Sequence, residues 1–184
     1  GLDVLYIAFS SGLSGTYNSG VMAAEELREE YPDRRIEVVD TLAASLGQGL
    51  LSHYAVMMKE SGSSLDEVKT WVEENRLNLV HLFTVDSLKY LHKGGRVSAT
   101  TAIVGGMLNI KPVLSVIEGE IRVLGKARGS KMGNNLLVQE IEKAGGVDFA
   151  KPVLLGYTGI SDALLKKYME DSHQLWEGNL DTLR

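Results

Sequence analysis

Apolar positions along this chain recur with two different periods, and the switches between them lay out the elements. Leu2 to Phe9 is a short apolar run with aromatic and β-branched members, and its lack of clean alternation predicts a central strand covered on both faces. A helical period follows at once. Val21, Ala24, Leu27 and Tyr31 form a stripe across residues 16–31, opposite Glu25, Glu26, Arg28, Glu29 and Glu30. Pro32-Asp33 closes it, and Ile36 to Val39 then predicts a second buried strand, returning after a helix as in a parallel βαβ unit.

Asp40-Thr41 ends that strand, and a longer, mostly apolar helix is expected from about residue 43 to 59. Ser61-Gly62-Ser63 separates it from Ser64-Leu65-Asp66-Glu67, a capping-box start for a helix whose stripe is Leu65, Val68, Trp71 and Val72. Leu79 to Val85 predicts a strand, and a short helical segment runs from Asp86 to a stop at Lys93-Gly94-Gly95-Arg96. Between Ser98 and Asn109, the residues Ala99, Ala102, Ile103, Val104, Met107 and Leu108 wrap almost the whole circumference of a helix. Such a helix is buried or lines a pocket. Its Gly105-Gly106 pair costs helix stability, which is easier to understand if something packs closely there.

After this the pattern changes. Pro112 to Ile117, the turn Glu118-Gly119-Glu120 and Ile121 to Lys126 predict an antiparallel hairpin. A helix to about Ala144, a strand from Val153 to Tyr157 and a helix from Ser161 to His173 complete the order. The expectation is an α/β fold: a parallel α/β sheet layer followed by a second α/β subdomain containing an antiparallel hairpin. The domains are expected at 1–84 and 85–184.

Composition narrows the partners. The 184 residues are 44% hydrophobic and 23% charged, as in a folded soluble protein. A net charge of -5 with dispersed Lys and Arg gives no pull towards nucleic acid. No apolar run is long enough to cross a bilayer and no signal peptide is visible, so a cytoplasmic location is the default expectation. The absence of cysteine excludes disulfides, thiolate catalysis and zinc–cysteine sites. His53, His81, His92 and His173 stand in no metal-ligand spacing, so no metal is expected. The chain opens directly into a strand without a methionine, which reads as an internal fragment.

The candidate chemistry lies at Ser10-Ser11-Gly12-Leu13-Ser14-Gly15-Thr16-Tyr17, between the first strand and the first helix. Hydroxyls, glycines and helix N-terminal amides crowded into one turn suit an anionic group such as a phosphate or carboxylate. The same residue types are also ordinary turn and N-cap residues, and both readings stay open at this point. A nucleophile elbow around Ser14 fails, because Thr16 stands where its second glycine belongs. No Gly-Lys-Ser/Thr follows, so there is no Walker A motif, and Gly47-x-Gly49 lacks the third glycine of a dinucleotide fingerprint.

Four motifs now stand in order: the Ser10 to Tyr17 turn, Asp86-Ser87-Leu88-Lys89-Tyr90-Leu91, Gly94-Gly95-Arg96-Val97-Ser98, and Leu108-Asn109-Ile110-Lys111-Pro112-Val113-Leu114. Together, over residues 1 to about 160, they closely resemble the DegV family, the fatty-acid-binding subunits of bacterial fatty acid kinase. The resemblance implies a two-domain α/β fold enclosing a long-chain fatty acid, with no cofactor. It places the carboxyl group at Ser11, with Ser10 and Gly12 beside it, and the acyl chain against Leu13, Ile103, Met107, Leu108 and Ile110. It further implies that the protein is no enzyme: a separate kinase catalytic subunit makes the acyl phosphate for phospholipid synthesis, facing Arg96 and Arg128. Transient membrane contact is compatible with this role. The family's opening strand with its aspartate-serine motif, its threonine-rich loop and its closing glycine-rich segment with a histidine are not present in this sequence. The alternative is a small-molecule hydrolase or transferase using the turn from Ser10 to Thr16, for which no base is evident in sequence.

Overall fold

The computed structural model describes residues 2–98, 109–159 and 161–176. These divide into two compact units, one of residues 1–80 with 116–120, the other of residues 81–115 with 121–184. The division expected at 84/85 would instead have kept residues 81–84 with the first unit and residues 116–120 with the second.

In the first unit, β1 (Val4–Ala8) and β2 (Ile36–Asp40) pair in parallel with Val4 opposite Ile36 and Ala8 opposite Asp40. Between them runs α1 (Thr16–Glu30), so the expected βαβ unit is present. Two more helices follow, α2 (Ser45–Glu60) and α3 (Leu65–Asn75). The Ser64 hydroxyl accepts from the Glu67 amide while the Glu67 carboxylate accepts from the Ser64 amide, completing the capping box that the sequence predicts. Val39, Ala55, Val68 and Val72 form the core, with Leu5, Ile7, Met58 and Trp71 packed against it. β1 is less completely covered than its composition suggests. Leu5 and Ile7 pack against the core on one face; on the other Ala8 is fully buried and Gly20 of α1 lies against the Tyr6 ring, while Val4 and Tyr6 remain 47% and 38% exposed.

The second unit begins with β3 (Leu82–Thr84), shorter than the run from Leu79 to Val85, and the single-turn helix α4 (Lys89–Lys93). α4 ends on a glycine cap: the Gly95 amide, at φ +77°, donates to His92 and the Arg96 amide to Leu91, the paired bonds of a Schellman motif. β4 (Ile110–Ile117) and β5 (Glu120–Arg128) form the expected hairpin, and β3 pairs antiparallel with β4 in the order β3-β4-β5. Pro112 to Ser115 are all buried, as befits the middle strand, whereas β5 alternates exposed and half-buried positions. α5 (Ser130–Lys143), α6 (Ala163–Asp171) and the short α7 (His173–Trp176) complete the unit. Val113, Leu137 and Tyr168 form its core.

The strand expected at Val153 to Tyr157 is a correction. Only a single bridge occurs, at Val153, and Val153 and Leu155 pack against the second core from an irregular segment. A short apolar run reports burial there rather than strand pairing. The apolar helix predicted between Ser98 and Asn109 falls almost wholly on residues 99–108, outside the described residues.

Candidate functional site

The turn after β1 is built by short side chains folding back on their own backbone. Ser10 is fully buried, and its hydroxyl donates to the Gly119 carbonyl at 2.7 Å and accepts from the Gly12 amide at 3.2 Å. Ser14 accepts from the Thr16 amide at 3.3 Å and shares a 2.7 Å hydrogen bond with the Thr16 hydroxyl. On the next loop, Asp40 Oδ1 accepts from the Leu42 amide, and the buried Thr41 hydroxyl accepts from Ala43 while donating to the Ala8 carbonyl at 2.7 Å. The bonds within Ser10–Gly12, Ser14–Thr16, Asp40–Leu42 and Thr41–Ala43 are i to i+2 hydrogen bonds of the Asx and Ser/Thr type, which explains why Ser, Thr and Asp occupy these positions.

Gly119 belongs to this site through its backbone. Glu118 and Gly119 have φ of +49° and +83°, the two positive values of a type I′ hairpin turn. A Cβ on Gly119 would lie 2.8 Å from Ser10 Oγ and 3.0 Å from Leu42 Cδ2, and one on Gly12 would lie 2.7 Å from the Gly119 oxygen. Close approach of the two backbones requires glycine at both positions.

Most amides of the turn have partners within the fold. Ser10 donates to Ala43, Ser11 to Asp40 Oδ1 at 3.1 Å, Gly12 to Ser10 Oγ, and Leu13 and Ser14 to the Ser10 carbonyl. Thr16, the first residue of α1, donates to Ser14 Oγ. The amides of residues 10–14 and 16 are therefore spent inside the fold, and the remaining amides at this turn are those of Gly15, Tyr17 and Asn18 at the start of α1. What it presents outward is the side chain of Ser11, which is exposed.

The remaining expected residues are placed separately. Leu13 is buried at 7% exposure in the first unit. Ile110 is half-buried at the start of β4 in the second, while Ile103, Met107 and Leu108 lie outside the described residues. Arg96 is exposed and its guanidinium donates to the Gly94 carbonyl. Arg128 is exposed at the end of β5, next to Gly129, whose amide donates to Asn109. Two of the four motifs meet within the second unit, where Lys111 pairs with Asp86 and Thr84 Oγ1 donates to the Pro112 carbonyl at 2.8 Å.

Sequence reasoning passed over Asp40 and the loop after it. Leu42 and Ser45 both have positive φ, +51° and +49°, without being glycine. Such conformations store strain and cluster at functional sites. A local signal existed in Asp40-Thr41, two consecutive turn formers, although it was read only as the end of a strand.

The structure offers little to catalysis here. Among the described residues no histidine hydrogen-bonds to Ser10, Ser11 or Ser14, and no cluster of His, Asp or Glu could hold a metal. His81 has both ring nitrogens buried and unpartnered among the described residues, and burial pushes its imidazole below the ordinary range. A shallow recess on α2 and α3 involves Met58, Trp71 and the carboxylates of Asp66 and Glu67, with no residue from the Ser10 turn. Asp66 is tied to Arg35 and Glu67 to the capping box, so that recess is accounted for by structure.

Comparison with known proteins now decides the family. A family model described as "Uncharacterised protein, DegV family" matches residues 1–180. The chain belongs to the DegV family. A DegV domain-containing protein of Clostridium perfringens is 56% identical over 144 residues, covering 78% of this chain and 50% of that protein. Another, from Lactococcus lactis, is 43% identical over 163 residues, covering 87% and 55%. The chain thus spans about half the length of these DegV relatives. Among solved structures, the Streptococcus pneumoniae fatty acid kinase B3 protein loaded with linoleic acid has a TM-score of 0.85 at 25% identity, covering 99% of this chain and 63% of that one. A stearic acid-binding protein from Eubacterium ventriosum gives 0.82 at 28%, covering 98% and 62%. A fatty-acid-binding DegV protein from Thermus thermophilus gives 0.74 at 31%, covering 96% and 60%. The mixed α/β fold is that of DegV proteins, and no helix among the described residues is long and apolar enough to cross a membrane.

Proposed function

We propose that this chain serves in a fatty-acid carrier that binds a long-chain fatty acid and does no chemistry on it. The observation that carries this reading is that solved DegV relatives matching 96–99% of the chain hold or bind fatty acids. In this reading Ser11 holds the carboxyl through its exposed hydroxyl. Ser10 and Gly12 shape the turn beneath it. Leu13 and Ile110, with Ile103, Met107 and Leu108, contact the acyl chain.

The turn's chemistry fixes how the binding energy is divided. With the amides of residues 10–14 and 16 spent, the Ser11 hydroxyl contributes on the order of 1 kcal/mol. Each buried methylene contributes roughly 0.8 kcal/mol, so about sixteen of them supply on the order of 10 kcal/mol. The acyl chain gives affinity, and the turn gives orientation. An oriented carboxyl is what a separate kinase subunit needs in order to phosphorylate it, with Arg96 and Arg128 facing that partner and its acidic or phosphate groups. The carrier acts in the cytoplasm, with transient contact at a membrane surface to collect its ligand.

Native mass spectrometry of the protein purified from a bacterial host tests the carrier reading. A mass increment matching one fatty acid, released by organic extraction and identified as such, is expected. Protein that never carries a fatty acid, and takes none up when it is supplied, overturns it.

A further inference from the structure

We propose that Asp40 is a positioning residue for Ser11, an inference that rests on Ser11 as the carboxyl-holding group. A single oxygen of Asp40, Oδ1, accepts from the Ser11 amide at 3.1 Å and from the Leu42 amide at 3.0 Å. Among the described residues it is the side chain outside the Ser10 to Thr16 turn that holds the backbone of Ser11 itself.

Asp40 is well placed to act as an anchor. It is the last residue of β2, in register with Ala8, the last residue of β1. Its carbonyl accepts from Arg76 Nη1 at 2.7 Å, at the C-terminal end of α3. Its carboxylate therefore extends from a backbone fixed by the sheet on one side and by a guanidinium on the other. A carboxylate receiving two amides makes charge-assisted bonds, stronger than those a neutral acceptor gives.

The neighbouring bonds show why Ser11 needs this anchor. The Ser10 amide is held by Ala43 and the Gly12 amide by the Ser10 hydroxyl, so the residues on either side are fixed independently of Asp40. Among the described residues Asp40 is the acceptor of the Ser11 amide, and the position of the exposed hydroxyl follows from that backbone conformation. The same oxygen holds Leu42 at φ +51°, a residue packed against Gly119. Asp40 thus couples the loop after β1 to the loop after β2, and its use of the Ser11 amide leaves the exposed hydroxyl as the group that meets the ligand.

A double-mutant cycle on linoleic acid affinity tests this, with thermal melting of each variant measured beside it. Ser11→Ala is expected to weaken binding about tenfold, the loss of one hydrogen bond. Asp40→Ala weakens it to a similar extent, and the double variant remains near tenfold rather than a hundredfold, because both changes remove one interaction. Asp40→Asn keeps an acceptor oxygen and restores binding to within about threefold. Where Asp40→Ala does not fold, Asp40→Glu replaces it in the cycle, displacing the oxygen by one methylene. Additive losses, or an Asp40→Asn variant as weak as Asp40→Ala, overturn the positioning role. If Ser11→Ala itself binds like the parent, the carboxyl assignment falls, which is a different result from additivity.

Discussion

Replacing Ser10 by alanine should cost stability, whereas replacing its neighbour Ser11 should not. Ser10 is fully buried and its hydroxyl serves the Gly119 carbonyl and the Gly12 amide at once. In Ser10→Ala the Gly12 amide, on an exposed residue, can turn to water, but the Gly119 carbonyl is left in a buried position. A stranded buried acceptor costs about 1–3 kcal/mol, to which the lost bond to Gly12 adds a few tenths, so the expected loss is about 2 kcal/mol. With a urea slope of about 2 kcal/mol/M for a chain of this size, the midpoint falls by about 1 M. Ser11→Ala removes an exposed hydroxyl and should stay within about 0.5 kcal/mol of the parent. Urea titrations followed by circular dichroism and by tryptophan fluorescence give both numbers. A Ser10→Ala midpoint indistinguishable from the parent, or a larger loss for Ser11→Ala, refutes the assignment of Ser10 to structure and Ser11 to the ligand.

Gly119→Ala combines a φ of +83° with a Cβ 2.8 Å from Ser10 Oγ, and should cost about 2–3 kcal/mol in the same titration. Ser64→Ala removes one half of the capping box and should cost about 1 kcal/mol, read as a lower urea midpoint. Burial holds the His81 imidazole neutral, so its folded pKa lies below the ordinary 6.5 and the unfolded chain binds the proton first on acidification. Its contribution is complete above pH 6.5 and is lost as the pH falls through the folded value. His81→Phe should therefore flatten the acid limb of a stability profile between pH 7.5 and 5, and an unchanged acid limb would show that His81 does not cause it.

Most of the fold was legible because its signals are local. Ser64-x-x-Glu67 places a helix start within four residues, and the two runs flanking Glu118-Gly119 announce a hairpin whatever surrounds them. The failures share a physical cause. Val153 to Tyr157 looks like a strand because burial and strand pairing favour the same residues, and the sequence shows only the first. Val4 and Tyr6 were expected to be covered because their neighbours Leu5 and Ile7 are apolar too, and the apolar run does not say how completely α1 closes over that face. The candidate site was legible as a turn but not as a circuit. Ser10 meets Gly119 across 109 residues and Ser11 meets Asp40 across 29, so the partners of these two residues become visible only in three dimensions.

The account's central claim, that the Ser11 hydroxyl meets a fatty-acid carboxyl, can be read at the carboxyl itself. Carbon-13 NMR of carboxyl-labelled linoleic acid should show, on adding the protein, one bound resonance displaced from that of the free acid. Ser11→Ala should move that resonance and Ser64→Ala should leave it in place. The absence of a bound resonance, or one that is indifferent to Ser11→Ala, contradicts the claim.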